Sequence, residues 1–143
     1  MLAEPSQRKV YVVMVADLFH YGHVEFLKHA RAFGNYLIVG LLTDERVKQY
    51  KRLPIMNLEE RMWVIESCRY VDEVVIHQSQ RSVEWFKAQG IVARVHAVGT
   101  ETDRARKANR LNRPGLPPKF EIPYQKDIST TAIIRRIKSR NFN

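Results

Sequence analysis

Residues 9–23 read KVYVVMVADLFHYGH, and the fold follows from this segment. Its first half, residues 9–15, is nearly continuous in β-branched and other apolar residues, which is typical of a parallel strand covered on both faces. A helix is predicted from His20, because apolar residues recur at helical spacing as far as Phe33 and Gly34 then favours a stop. The chain therefore passes from a buried strand directly into a helix, as α/β proteins do.

The same alternation continues to the end of the chain. Asn57, with Glu60 three residues later, is typical of a capping box and predicts the start of another helix. Further strands are predicted at residues 36–42, 71–76, 94–98 and 120–123, and further helices at residues 83–88 and 129–138. Strand–helix–strand repetition predicts right-handed crossovers and a parallel sheet. We predict one Rossmann-like, three-layer α/β domain over residues 1–143, with a five-stranded parallel sheet and a core at about 9–138.

Length and composition exclude several classes of protein. A chain of 143 residues suits one domain. The single cysteine, Cys68, excludes an internal disulfide framework and a cysteine-cluster zinc site. No stretch approaches the roughly 20 apolar residues that span a bilayer, and the polar residues 1–8 do not form a secretory signal. We therefore expect a cytoplasmic protein.

The charge balance favours anionic partners. The chain has 24 Lys and Arg against 15 Asp and Glu, which gives a net charge of +9. Such a surplus suits nucleotides, phosphorylated metabolites, nucleic acid or acidic lipid, and net charge alone does not choose among them. Residues 100–119 form a basic, proline-containing loop without helical or strand patterning, and its length makes it a candidate functional segment.

Two histidines mark the start of the first helix. His20 and His23 lie three residues apart and therefore on one face, and Gly22 between them leaves room for a ligand at the backbone. The helix N-terminus adds free N–H groups and a positive dipole end, which together suit a polyphosphate. A metal site lacks an evident third ligand. Two partly buried histidines without a ligand are the alternative.

Hydroxyl groups mark the start of the last helix. Ser129, Thr130 and Thr131 follow Ile128, and consecutive hydroxyls at a helix start either cap the backbone or hold a phosphate. A third segment, from Lys51 onward, reads as a charged loop followed by a solvated helix face.

Together these segments resemble the small cytidylyltransferases of the nucleotidyltransferase superfamily, which act on glycerol-3-phosphate, ethanolamine-phosphate or choline-phosphate. The first motif of that family, Gly-x-Phe-Asp-x-x-His-x-Gly-His, is matched at Asp17, His20, Gly22 and His23. Residues 69–74, RYVDEV, match another family segment. Further matches are Thr43, Asp44, Glu45, Lys51, Pro54, Glu60, Arg61 and residues 128–131. The resemblance extends in order over residues 9–137.

The resemblance implies a reaction and a site. The phosphate or phosphonate group of a small alcohol attacks the α-phosphate of CTP, and pyrophosphate leaves with Mg²⁺ present. The implied catalytic residues are His20, His23, Lys51 and Arg61, and the implied acceptor-binding residues are Lys51, Arg61 and Asp44. The implied nucleotide-binding residues are Val15, Ala16, Asp17, Gly22, Gly99, Glu101, Ile128, Ser129, Thr130 and Thr131. The family also implies a homodimer that meets at residues 69–74, with no metal-ligand set in the protein and no nucleic-acid partner.

The chain departs from the family in three places, and one of them is after the fourth strand, where Gly99-Thr100-Glu101 stands in place of Gly-Asp-Asp. Met14 and Ala16 stand where Gly and Phe are usual, and residues 124–127 read YQKD where the family has Arg-Thr-x-Gly. The usual arginine at the triphosphate is therefore absent from its position. Two alternatives stay open: an adenylyltransferase of the FAD synthase-like or heptose-phosphate type, and a non-enzymatic basic module that binds nucleic acid.

Overall fold

The computed structural model describes residues 6–78, 81–98, 113–123, 125 and 127–142. Within these residues the strands are β1 (Lys9–Met14), β2 (Tyr36–Leu41), β3 (Glu73–Ile76), β4 (Ile91–Val98) and β5 (Lys119–Pro123). The helices are α1 (Tyr21–Arg31), α2 (Asp44–Lys48), α3 (Leu58–Glu66), α4 (Val83–Gln89) and α5 (Thr130–Ser139).

The strands form one parallel sheet in the order β3-β2-β1-β4-β5. β1 lies at its centre and pairs with β2 from Lys9 opposite Tyr36 to Met14 opposite Leu41. Val10 and Val12 are fully buried, as the apolar run predicted. The predicted α/β class with a five-stranded parallel sheet is confirmed.

Helices cover both faces of the sheet. On one face, β1 and β2 pack with Leu27 of α1 and Ile65 of α3. On the other face, Tyr11 and Ile38 pack with Phe86 of α4. These two apolar clusters are the two interfaces of a three-layer domain. Because β1 is central and α1 follows it directly, the start of α1 lies at the carboxyl edge of the sheet, where ligands bind in this class of fold.

Local signals set most of the helix ends. α3 begins with the predicted capping box, since the Asn57 side chain accepts from the Glu60 N–H and the Glu60 carboxylate accepts from the Asn57 N–H. α4 ends at Gly90, whose φ of 69° is in the left-handed region that favours glycine. α2 was not predicted; Thr43 caps it, and it has only five residues.

The predicted basic loop lies mainly outside the described residues. Of residues 100–119, only 113–119 are described, and Lys119 already belongs to β5. Among the described ranges, no helix is long and apolar enough to cross a membrane.

Candidate active site

The two histidines are held by the backbone at the start of α1. His20 is the N-cap, and its Nδ1 accepts from the Gly22 N–H at 3.1 Å. The Nδ1 of His23 accepts from the His20 N–H, also at 3.1 Å. A neutral imidazole that accepts on Nδ1 carries its proton on Nε2. Both rings therefore present an Nε2–H donor.

Stacking fixes the planes of these rings. The His20 and His23 ring centroids lie 3.8 Å apart. The Phe19 ring stacks nearly parallel to His23 on a centroid distance of 5.6 Å. His23 thus has aromatic neighbours in Phe19 and His20, which restrict rotation of the imidazole and leave the direction of its donor preset.

Both imidazoles are neutral at physiological pH. Burial lowers the pKa of His23 to about 3, and repulsion from His20 and Lys51 adds to the effect, while Asp17 opposes it. Burial also lowers the pKa of His20. A bound anion would raise both values, because an opposite charge nearby favours the protonated form. The pair can therefore donate hydrogen bonds to phosphate oxygens and gain charge as a phosphate approaches.

The start of α5 meets the start of α1 beside His20. The Thr130 hydroxyl donates to the Asp17 carbonyl at 2.8 Å, and its oxygen lies 3.5 Å from His20 Nε2. A Cβ added at Gly22 would lie 2.9 Å from Ile128 Cγ2 and 2.9 Å from His20 Cε1. A larger residue at this position would push the Ile128 and His20 side chains away. Two helix N-termini, with their free N–H groups and positive dipole ends, thus converge at the end of β1.

The other hydroxyls of this motif are placed differently. Ser129 caps α5, since its Oγ accepts from the Ala132 N–H at 3.0 Å. Thr131 is exposed in the first turn of α5. The structure therefore brings Thr130 to the His pair and gives Ser129 the capping role that was its alternative interpretation.

The turn between β1 and α1 is strained on both sides of Asp17. Ala16 and Leu18 have φ values of 57° and 48°, in the left-handed region. Each such residue costs about 1–2 kcal/mol when it is not glycine. The contacts of Asp17 hold the turn in this shape.

The Asp17 carboxylate holds the loop that follows α2 in place by hydrogen bonds. One carboxylate oxygen accepts from the Met56 N–H and the other from the Ile55 N–H, both at 2.9 Å, and Arg52 Nη1 lies 3.1 Å from the latter oxygen. Burial raises the pKa of Asp17, but these hydrogen bonds and the Arg52 charge outweigh burial, so the net pKa is lowered. Asp17 was expected to face the nucleotide. Its carboxylate instead faces residues 51–57, and its carbonyl accepts from Thr130.

Arg61 is a scaffold residue in this structure. Its side chain is fully buried. Its guanidinium donates to the carbonyls of Met56, Val15 and Leu42 at 3.0, 2.7 and 3.0 Å, and to Asp44 Oδ1 at 2.5 Å. The expectation that Arg61 and Asp44 hold the acceptor's phosphate does not fit this geometry, because they pair with each other and Arg61 is closed off from solvent. Together they tie the ends of β1 and β2 to the loop.

Of the remaining predicted residues, some lie at the edge of the site and others lie outside the described residues. Lys51 is exposed, and its charge acts on His23, which places it on the side of the His pair. Val15 and Ala16 directly follow the central strand β1, in the turn that leads to the site. Gly99 and Glu101 lie outside the described residues. The Ile55 and Met56 amides were not predicted, because a backbone donor has no signal in the sequence.

Comparison with known proteins places these features in a family. The Cytidylyltransferase-like family model matches residues 15–136. The ethanolamine-phosphate cytidylyltransferase of Arabidopsis thaliana is 40% identical over 93% of this chain and 33% of that protein. The probable ethanolamine-phosphate cytidylyltransferase of Encephalitozoon cuniculi is 34% identical over 98% of this chain and 44% of its own length. This chain thus spans less than half of these relatives.

A third relative and a solved structure match over more of their own lengths. The FAD synthase of Pyrococcus abyssi is 38% identical over 92% of this chain and 95% of that protein. The crystal structure of a lipopolysaccharide core biosynthesis protein from Thermoplasma volcanium superposes with a TM-score of 0.68 at 20% identity. It covers 86% of this chain and all of that one. The structural likeness supports the fold.

Proposed function

Because this chain belongs to the cytidylyltransferase-like family, we propose that it transfers CMP from CTP to a small phosphate-bearing alcohol and releases pyrophosphate. The observation that carries the proposal is the meeting of His20, His23 and Thr130 at two helix N-termini. Several relatives are named as ethanolamine-phosphate cytidylyltransferases, which makes ethanolamine-phosphate the first acceptor to test, ahead of choline-phosphate and glycerol-3-phosphate.

The proposed step is a direct displacement. A phosphate oxygen of the acceptor attacks the α-phosphorus of CTP, and the bond from that phosphorus to the bridging oxygen breaks, so the electron pair leaves with pyrophosphate. No side-chain nucleophile takes part. The Nε2–H donors of His20 and His23 are already oriented toward the site, and such preset donors stabilise charge that develops in the transition state. The N-termini of α1 and α5 hold the β- and γ-phosphates.

Other residues position the two substrates. In this proposal Lys51 holds the acceptor's phosphate, while Asp17, Asp44 and Arg61 keep its loop and the strand ends in place. We expect Val15, Ala16, Gly22, Gly99 and Glu101 to bind the nucleotide, with residues 128–131 at its triphosphate.

Mg²⁺ enters this proposal as part of the nucleotide substrate. Among the described residues, no group of three or more His, Cys, Asp or Glu side chains is arranged to hold a metal ion. Both carboxylate oxygens of Asp17 already accept backbone hydrogen bonds. Mg²⁺ commonly binds through substrate phosphates and retained waters. We expect it to arrive bound to CTP.

Adenylyl transfer is the second candidate. The Pyrococcus abyssi FAD synthase matches this chain over 95% of its own length, whereas the ethanolamine-phosphate cytidylyltransferases are longer proteins. Under this alternative, ATP replaces CTP and FMN is the acceptor to test. The RYVDEV segment at residues 69–74 favours cytidylyl transfer.

Pyrophosphate release tests the proposal directly. Purified protein is mixed with Mg²⁺, either CTP or ATP, and ethanolamine-phosphate, choline-phosphate, glycerol-3-phosphate or FMN. We expect release with CTP and one phospho-alcohol. Release only with ATP and FMN would establish the second candidate, and no release from folded protein with any pair would reject both. A thermal-shift comparison supports the assay, because the preferred nucleotide stabilises the fold more at equal concentration.

The proposed assembly is a cytoplasmic homodimer that meets at residues 69–74. Light scattering coupled to size exclusion gives the mass in solution, and a monomer across the working concentration range would contradict this part of the proposal.

A further inference from the structure

A basic cavity lies on the α4 face of the sheet. Its volume is about 440 Å³, and it is lined by Arg94, Arg113, Pro114, Leu116, Pro117, Pro118 and Lys119. That volume is in the range of small-molecule sites. Three cationic side chains and four apolar residues therefore line a space large enough for a small anion and its waters.

This cavity is separate from the His pair. Val95 of β4 packs into the core beneath α1 and α3, so Arg94, the residue before it, points to the opposite face. Arg94 lies level with Tyr11 in the sheet. β1 continues from Tyr11 for three more residues, about 10 Å, before the turn that leads to His20. An anion in the cavity would thus lie on the α4 face of the sheet, about three residues along β1 from the edge that carries His20 and His23.

The Arg94 side chain is buried, and no carboxylate of the described residues pairs with it. It is 6% exposed. Its Nε donates to the Pro117 carbonyl at 3.0 Å, and among the described residues its terminal nitrogens have no hydrogen-bond acceptor and no carboxylate within ion-pair distance. Burial lowers the pKa of Arg94, and repulsion from Arg113 adds to the effect. A buried guanidinium is costly unless an anion pairs with it.

The charges next to Arg94 indicate what charge an anion in the cavity would carry. Lys119 Nζ lies 3.4 Å from Glu121 Oε1, so that ammonium is already balanced. Arg113 donates to the Arg81 carbonyl at 2.5 Å, which is a neutral acceptor, and no carboxylate in the described part of the chain lies within ion-pair distance of its guanidinium. Arg94 and Arg113 therefore leave two positive charges facing the cavity.

We propose that this cavity binds a doubly charged oxyanion, orthophosphate or the phosphate of a phosphomonoester, independently of the nucleotide site. Arginine matches this chemistry, because its planar guanidinium presents paired donors to two oxygens of a phosphate. The proposal does not depend on which nucleotide or acceptor the His20 site takes.

Orthophosphate titrated into the full chain in a low-salt buffer tests the site. Binding is followed by calorimetry and by the Nε–Hε NMR signals of the arginines. Arg94→Met keeps the length of the side chain and removes its charge, and Arg113→Gln changes an exposed residue if Arg94→Met fails to fold. We expect both to weaken phosphate binding by about tenfold or more, the cost of losing a hydrogen bond to a charged group. A parallel titration with methyl phosphate distinguishes a phosphomonoester site from one for free phosphate only.

Two control variants separate this cavity from the nucleotide site and from general charge. In the double variant His20→Asn, His23→Asn, phosphate binding and the Arg94 signal shift should persist. Arg140→Gln removes an exposed cation and should change affinity by about twofold at most. Unchanged binding in the Arg94 and Arg113 variants, or loss of all binding in the histidine variant, would overturn the proposal.

Discussion

At the scale of single residues, the proposed chemistry depends on which nitrogen of each imidazole carries the proton. The backbone N–H groups of Gly22 and His20 occupy the two Nδ1 atoms, so both protons are on Nε2, and that of His20 lies beside the Thr130 hydroxyl at 3.5 Å. The cost of orienting these donors is met when the protein folds, before substrate arrives. A preset donor contributes more to a transition state than one that must reorient.

His20→Asn separates the capping role of His20 from its donor role. The Asn side-chain oxygen can still accept from the Gly22 N–H, but it has no group at the position of Nε2. We expect turnover to fall by about 10²-fold, the scale of losing one preset donor, with little change in the melting temperature. His29→Asn changes an exposed histidine of the same helix and serves as the matched control. Equal turnover in the two variants would remove His20 from the mechanism.

Acid should destabilise the fold through its buried histidines. The pKa of His23 falls from 6.5 to about 3 and that of His77 from 6.5 to about 4, in each case mainly through burial. In the unfolded chain both histidines bind a proton near pH 6.5, whereas in the folded chain they stay neutral to lower pH. The free energy of unfolding therefore falls as the pH drops below about 6.5.

Urea unfolding between about pH 7.5 and 5 measures this loss, since carboxylates contribute mainly below that range. His23→Asn should reduce the dependence of the unfolding free energy on pH, because the group that resists protonation is gone. If the unfolding free energies of this variant and of the original protein depend equally on pH, the pKa of His23 is not lowered in the folded state.

Spacing together with the family resemblance singled out His20 and His23, but neither could predict what Arg61 does. An arginine that grips a phosphate and one that ties three carbonyls look alike in a sequence. Only the packing of α3 against the strand ends closes Arg61 off from solvent. The direction of the Asp17 carboxylate could not be predicted either, because its partners are backbone amides, which every residue except proline carries.

At the scale of elements, the strands and longer helices were predictable within a few residues because their apolar periodicity is strong. α2 was not, since five residues are too few to show a helical period. The loop over residues 51–57 shows no hydrophobic periodicity, yet its hydrogen bonds to Asp17 hold it next to the site. Its position depends on the hydrogen bonds that the Ile55 and Met56 N–H groups donate to Asp17, which lies 38 and 39 positions earlier in the chain.

Asp17→Asn should loosen this loop. An amide in place of the carboxylate sets its NH₂ group against the Ile55 or Met56 N–H, which costs about 1–3 kcal/mol for an unsatisfied buried donor. Hydrogen exchange at those two amides should accelerate, and the KM for the acceptor should rise more than the KM for CTP, because Lys51 precedes the loosened segment.

Asp72→Asn is the matched control for Asp17→Asn. The Asp72 carboxylate also accepts a backbone N–H, that of Leu37 at 2.7 Å, and it pairs with Arg31. It lies at the opposite end of β2, so its loss should lower stability and leave exchange at residues 55–56 unchanged. The same exchange pattern in both variants would show general destabilisation only.

Gly22→Ala should separate the starts of α1 and α5. The new methyl group would press on Ile128 Cγ2 and His20 Cε1, each at 2.9 Å. Alanine by itself favours a helix by about 1 kcal/mol over glycine, so we expect turnover to fall by about tenfold or more without a matching loss of stability. Ile128→Ala in the same chain makes room for the methyl group and should restore part of the rate; full turnover in Gly22→Ala alone contradicts the close-approach argument.

At the scale of the whole molecule, the parallel sheet assembles the site from distant parts of the chain. His20 follows β1, Lys51 follows α2, and Thr130 begins α5, but all three lie at the carboxyl edge of the sheet. The strand–helix alternation predicted that edge. It did not predict the Arg94 cavity, because a charged residue inside a strand gives no sign of which face it occupies or what lies above it.

The net charge of +9 predicts salt-dependent binding of CTP. Positive charge raises the local concentration of a polyphosphate, and salt screens this attraction over about 10 Å at 0.1 M. We expect the Kd for CTP to rise by about tenfold between low and high salt, while that for uncharged cytidine changes little. The same titration with a short RNA separates an enzyme from a basic binding module, since general nucleic-acid binding has a steep salt slope. CTP binding that persists at a salt concentration where RNA no longer binds supports the enzyme, and RNA that binds more tightly than CTP at every salt concentration contradicts it.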